Sequence, residues 1–177
     1  MEEFTIKSKH NSDEFLEIHN ILWELKSKRL YVNLRTHSIY AAFIFFLAFV
    51  TWYFEQTQNP LIFISIFYLL FLGISFTNIL KSKRDYKKKI KKISERLELE
   101  EFEYSFEFKD ESLNYSDNEK TMNFNWSMFA HYIEYKGLLI LYLRDFEIIN
   151  HVFKLENEPD GEKIMRIIDS KLKKMDF

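Results

Sequence analysis

In this sequence the side chains with the most chemistry to offer are histidines and carboxylates, and their spacing decides what they can do. The five histidines are His10, His19, His37, His131 and His151. No two stand in an HxxxH or HExxH spacing, the arrangement that brings two imidazoles to one metal from a helix face, so no metal site is expected. His131 and His151 fall on predicted strands that could approach one another, but histidines satisfied within a fold or by solvent are far commoner than two-histidine sites. Glu98, Glu100, Glu101, Glu103 and Glu107 lie close enough to suggest paired carboxylates for general acid–base work. Their alternation with aromatic residues makes a solvated strand face the better account. Three glycines supply no phosphate-cradling loop, and without cysteine there is no disulfide, thiolate nucleophile or cysteine-held metal. No catalytic, cofactor or metal residue is expected, and the chain reads as non-enzymatic.

The elements that would position any site come next. Thr36–Phe54 and Pro60–Leu80 contain no Asp, Glu, Lys or Arg. Nineteen helical residues span about 28 Å, close to the hydrocarbon thickness of a bilayer. Neither stretch has a polar face, and a chain of 177 residues cannot bury two such helices on all sides. A transmembrane helical hairpin over 36–80 is expected, with helices at 36–54 and 60–80. The first apolar run starts too late, and is too long, for a cleaved signal peptide. Lys26, Lys28, Arg29 and Arg35 precede the hairpin, and Lys81, Lys83, Arg84, Lys87, Lys88, Lys89, Lys91 and Lys92 follow it. The connecting "EQTQN" carries no positive charge. The positive-inside rule therefore places both termini in the cytoplasm, as expected for a multi-pass protein of a bacterial inner membrane. Trp52 and Tyr53 suit an outer aromatic belt, Tyr31 and Tyr40 an inner one, and His37 a membrane boundary. Ala41, Ala42, Ala48, Ser65, Gly73, Ser75 and Thr77 offer small or weakly polar positions for close helix packing, and a homo-oligomer is compatible with them.

The flanks divide into a cytosolic segment 1–35, a basic juxtamembrane helix 81–99 and a cytosolic domain 100–177. Residues 3–8 alternate as a short strand. A helix then opens at Asn11 or Ser12, with Phe15, Ile18, Leu22 and Leu25 on one face, packed on the membrane surface or against the later domain. The lysines of 81–92 hold the helix end inside, and would also attract anionic lipid headgroups. No nucleic-acid partner is needed to explain them. From residue 100 the period becomes two: Phe102, Tyr104, Phe106 and Phe108 share one face and glutamates the other. Further strands are expected around "SLNYS", "KTMNFNW", "MFAHYIEY", "LLILYLR" and "FEIINHVFK", with turns at 116–119, 136–137 and 144–145. After "ENEPDG" a final helix starts at Asp160, with Ile164, Ile168, Leu172 and Met175 in one stripe to cover the sheet. The fold class is α+β: a membrane hairpin, then an antiparallel β-barrel or meander capped by a C-terminal helix.

Two membrane helices, a basic stretch and the run "YSFEFKDESLNYSDNEKTMNFNWSMFAHYIEYKGLLILYLRDFEIINHVF", with Trp126 before the "IEYKGLLILYL" hairpin, resemble the YcxB-like family of small bacterial membrane proteins. Asn150 and His151 stand where family members often have proline and lysine. The resemblance implies a pleckstrin-homology-like (PH-like) cytosolic domain and no activity. Such domains often bind phosphoinositides through a basic loop between their first two strands. The matching loop here, "KDES" at 109–112, has one lysine among acids, which leaves protein binding as the main use. The expected function is a non-enzymatic inner-membrane protein that binds or positions a protein partner, in an accessory or immunity-type role. The alternatives are an anionic-lipid sensor built on 81–92 and a small self-assembling membrane protein.

Overall fold

A computed structural model describes residues 4–55, 60–144, 149–154 and 160–175. Residues 56–59 of the expected hairpin tip, the second residue of the 144–145 turn and most of "ENEPDG" lie outside the described residues. The element order is β1 (Phe4–Lys9), α1 (Ser12–Glu55), α2 (Pro60–Leu99), β2 (Glu103–Phe108), β3 (Ser112–Asp117), β4 (Thr121–Asn125), a 3-10 turn (Trp126–Met128), β5 (Phe129–Tyr135), β6 (Leu138–Leu143), β7 (Ile149–Lys154) and α3 (Gly161–Lys171). By packing, the chain divides into two units: residues up to Ile18 together with those from Ile93 onward, and His19–Lys92.

Asn11 caps α1. Its Oδ1 accepts the Asp13 and Glu14 backbone N–H groups at 3.1 and 3.2 Å, and those two acids complement the positive end of the helix. No glycine or proline interrupts the next 44 residues, so the helix does not stop at residue 35. The N-terminal helix expected to end there is the first half of one continuous helix. Pro60 opens α2 at the position where its missing N–H costs nothing. Both helices contain stretches long and apolar enough to cross a membrane. The end of α2 is a Schellman cap: Phe102 N–H donates to Leu97 O at 3.0 Å and Glu101 N–H to Glu98 O at 3.2 Å, with Glu101 at φ 46°.

The strands form two antiparallel sheets, ordered β1-β2-β3-β4 and β5-β6-β7. β1 joins β2 across the whole helical hairpin, with Ile6 opposite Phe106 and Phe4 opposite Phe108. The strand of the N-terminal segment and the sheet after residue 100 thus belong to one unit. It follows that the connection between the first two strands of this sheet is the pair of long helices. "KDES" instead joins β2 to β3, the second and third strands.

The two sheets meet face to face: Phe106 of β2 packs on Phe153 of β7 with centroids 4.8 Å apart. Phe108, Leu113, Phe129, Tyr132, Leu139, Leu141, Ile164 and Ile168 fill the space between the sheets and α3. "LLIL" of β6 is buried on both faces, which is why it reads as an unbroken apolar run. The turn at Lys136–Gly137 has positive φ at both residues, 50° and 77°, the geometry a two-residue hairpin requires.

The sheets do not close into a barrel. Closure would need β4 to pair with β5, but the chain passes between them through the 3-10 turn, and the outer edge of β5 is already occupied. Tyr132 N–H donates to Lys173 O at 3.2 Å, and Met175 N–H donates to Tyr132 O at 2.9 Å. This also relocates Met175. α3 ends at Lys171 because Leu172 is extended (φ −126°, ψ 150°). Ile164, Ile168 and Leu172 are buried as a stripe, while Met175 lies beyond the helix with its side chain exposed.

Candidate functional site

The four-stranded sheet ends in β1 on one side and β4 on the other, and the β4 edge is available. In the β3–β4 hairpin Asp117 N–H donates to Lys120 O at 2.9 Å, so these two residues form a hydrogen-bonded pair. Hydrogen-bonded and non-bonded pairs alternate in an antiparallel ladder. Tyr115–Met122 and Leu113–Phe124 are therefore bonded pairs, while Ser116–Thr121, Asn114–Asn123 and Ser112–Asn125 are not. The backbone N–H and C=O of Thr121 and Asn123 and the N–H of Asn125 point away from β3, and among the described residues no backbone group pairs with them, while the Asn125 C=O opens the 3-10 turn. β4 carries no lysine or proline, the residues that usually blunt such an edge. Trp126 fixes its far end: Nε1 donates to Lys109 O at 3.0 Å and the backbone N–H to Glu111 O at 3.1 Å. The "KDES" turn is thus held against β4 through Trp126, a structural role.

The outer face of the same sheet is polar. Asn114 Nδ2 donates to Glu107 Oε2 at 2.9 Å, and the Ser116 and Thr121 hydroxyls meet at 3.0 Å. A shallow, open cavity of ≈ 370 Å³ runs along it, lined in part by Lys7, Lys9, Glu103, Ser105, Ser116 and Asp117. Lys9 and Glu103 pair across it at 2.7 Å, which raises the lysine pKa and lowers that of the glutamate. Both groups are exposed, so the pair adds little stability.

The structure separates the two strand histidines. His131 pairs with Tyr142 and stacks on its ring at 4.9 Å, while His151 pairs with Leu141. Consecutive residues of β6 face opposite sides of the sheet, so the two imidazoles do as well. His151 is buried among Phe106, Tyr115, Phe124 and Phe129, with centroids 4.9–6.4 Å away. Its Nε2 has no hydrogen-bond partner among the described residues. Burial lowers its pKa to about 4, which keeps it neutral. Among the described residues no group of three or more potential metal ligands comes together.

The remaining three histidines act at the helix seam. His10 Nε2 and Ser12 Oγ meet Ser94 Oγ at 3.1 and 2.8 Å. His19 Nδ1 meets the Tyr86 hydroxyl, and His37 Nδ1 the Tyr68 hydroxyl, each at 2.8 Å. Sequence reasoning missed these pairs. Their signal was present in the matched spacing of His19 to His37 and Tyr68 to Tyr86. Trp23 packs on Tyr86 at 5.0 Å and is buried within the helix pair.

Of the basic residues, Lys81, Arg84, Lys87, Lys88, Lys89, Lys91 and Lys92 are exposed on α2 and Lys83 is half-buried. Tyr40, Trp52 and Tyr53 are exposed on α1. Phe106, Phe108 and Trp126 are in the core with Tyr104 packed against it, while Phe102 precedes β2 and is half-buried outside it. No protein-family model, curated protein or solved structure matches this chain.

Proposed function

We propose that this chain is a non-enzymatic protein of a bacterial inner membrane. α1 and α2 cross the bilayer with both termini in the cytoplasm, and the sheet-bearing unit binds or positions a protein partner. The observation that carries the partner reading is the contrast between two strand edges. The outer edge of β5 is covered by residues 173–175 of the same chain, whereas β4 is bare and unguarded. An extended segment of a partner adding to β4 would pair with the backbone of Thr121 and Asn123, the mode known as strand addition. Four strands, then three, then a helix also suit a PH-like unit of the YcxB-like kind, with β1 supplied from before the membrane hairpin. An accessory or immunity-type role fits this architecture. The exposed lysines of α2 favour anionic lipid as a second reading.

Asn123→Pro tests the edge. It removes an outward N–H without breaking a backbone bond to β3, losing only a long side-chain contact from Asn123 Nδ2 to Ser112 Oγ at 3.5 Å, and proline is tolerated on edge strands. Full-length protein purified from native membranes in mild detergent is expected to carry a stoichiometric partner that Asn123→Pro loses, with melting temperature held within a few degrees. Retention of the same partner by Asn123→Pro, or recovery of self and lipid alone from the unaltered protein, would overturn the edge reading.

A further inference from the structure

Two hydrogen bonds fix how α1 and α2 run past each other within His19–Lys92. His19 bonds Tyr86 and His37 bonds Tyr68, each at 2.8 Å. The histidines are eighteen residues apart, and so are the tyrosines. Eighteen residues are five helical turns, about 27 Å, so each pair lies on one face and a single antiparallel register holds between them. Carried along the helices, that register sets Phe45 level with Pro60, Arg35 with Leu70, Arg29 with Phe76 and Leu25 with Leu80. The two apolar stretches are therefore staggered. The end of α1 overhangs the start of α2 by ten residues, about 15 Å. The lower half of the α2 stretch, 70–80, lies beside the basic part of α1.

No bilayer position makes both stretches purely lipid-facing. With 60–80 in hydrocarbon, the Arg35 backbone lies near the midplane with Arg29, Lys28 and Lys26 below it, and charge at that depth is costly. With 36–54 in hydrocarbon, Leu70, Phe71, Ile74, Phe76 and Leu80 leave it, although each is about half exposed. Leu30, Tyr31 and Val32 of α1 are similarly exposed at the same level. A collar of apolar side chains and cationic heads at one level matches the boundary between acyl chains and headgroups. There long cations keep their stems apolar and extend their charges to phosphate. The direction is right as well: side chains on α1 lean towards its N-terminus, the cytosolic side in the proposed topology. Lys88 and Lys92 lie about 12 and 18 Å beyond Leu80 along α2, past a headgroup layer of roughly 5–8 Å.

The geometry points to anionic phospholipid as the ligand of this collar, with Arg29 and Arg35 holding headgroup phosphates. The inference rests on the membrane-spanning reading of α1 and α2. Full-length protein reconstituted in phosphatidylcholine bilayers with phosphatidylglycerol, then analysed by native mass spectrometry for retained lipid, tests it. Arg29→Gln/Arg35→Gln is expected to lower the preference for phosphatidylglycerol about tenfold. Arg29→Lys/Arg35→Lys and Lys88→Gln/Lys92→Gln are expected to keep it. Equal retention of both lipids, loss of preference in Lys88→Gln/Lys92→Gln, or a lipid-free dimer whose second copy covers the collar would each overturn it. Alkaline extraction of native membranes separates the two failures. Release of the protein ends the membrane reading itself, whereas retention without a lipid preference ends only the collar.

Discussion

His151 is the residue whose chemistry the fold most alters. It sits in a ring of Phe106, Tyr115, Phe124 and Phe129, and burial holds its pKa at about 4 against an ordinary 6.5. The unfolded chain therefore binds a proton that the folded chain refuses. That contribution is intact above pH 6.5 and is lost as pH falls from there towards 4. At pH 4.5 the loss is about 2 to 3 kcal/mol. Chemical denaturation at pH 7.5 and pH 4.5 should show a smaller acid-induced loss in His151→Phe than in the unaltered protein, by about that amount. Equal losses would mean that the imidazole reaches solvent or a partner in the folded state. The sequence placed His151 on a strand but could not show which face it occupies. The bulges in the β5–β6 and β6–β7 pairings decide that, and bulges leave no compositional mark.

At the scale of elements, the local signals were strong and the structure follows them. Asn11 caps α1 through its side chain, Pro60 opens α2, and the period-two run after residue 102 is β2. Element ends were harder to read where no conventional breaker marks them. α2 stops at a Schellman cap whose left-handed residue is Glu101 (φ 46°), a position normally given to glycine. A side chain there is strained, and glycine relieves the strain at some cost in unfolded-state entropy. Glu101→Gly is expected to raise stability by about 1 kcal/mol in denaturant titration, leaving the helical circular dichroism unchanged. A destabilised variant would mean that the Glu101 side chain, and not the turn it makes, matters. The Asp160 start of α3 was legible too, although only its backbone carbonyl takes part, accepting from Lys163 and Ile164 at 2.9 Å.

At the scale of the whole molecule, the feature least visible in sequence is that the sheet needs both ends of the chain. Alternation marks "FTIKSK" as a strand, but nothing local says that its partner lies beyond two helices of 44 and 40 residues. The pairing sets Phe4 stacked on Phe108 at 4.8 Å and buries Ile6 opposite Phe106. A fragment beginning at residue 100 lacks β1, so it exposes one face of Phe106 and Phe108 and turns β2 into a new apolar edge. His10 N–H donates to Phe102 O at 2.8 Å, so the two chain ends of this unit already lie side by side. Joining Ile18 to Ile93 with a Gly/Ser linker of about eight residues, whose typical span is on the order of 15 Å, would keep the unit intact without the hairpin. That joined chain is expected to be soluble and to unfold in one cooperative transition. The fragment 100–177 is expected to aggregate or to melt at least about 10 °C lower, since losing β1 removes several kcal/mol of apolar burial. Equal stability of the two would show that β1 is an accessory to the sheet and that the unit begins at residue 100. A lone cooperative transition in the joined chain would instead make the helical hairpin an insertion into a sheet that the chain ends complete together.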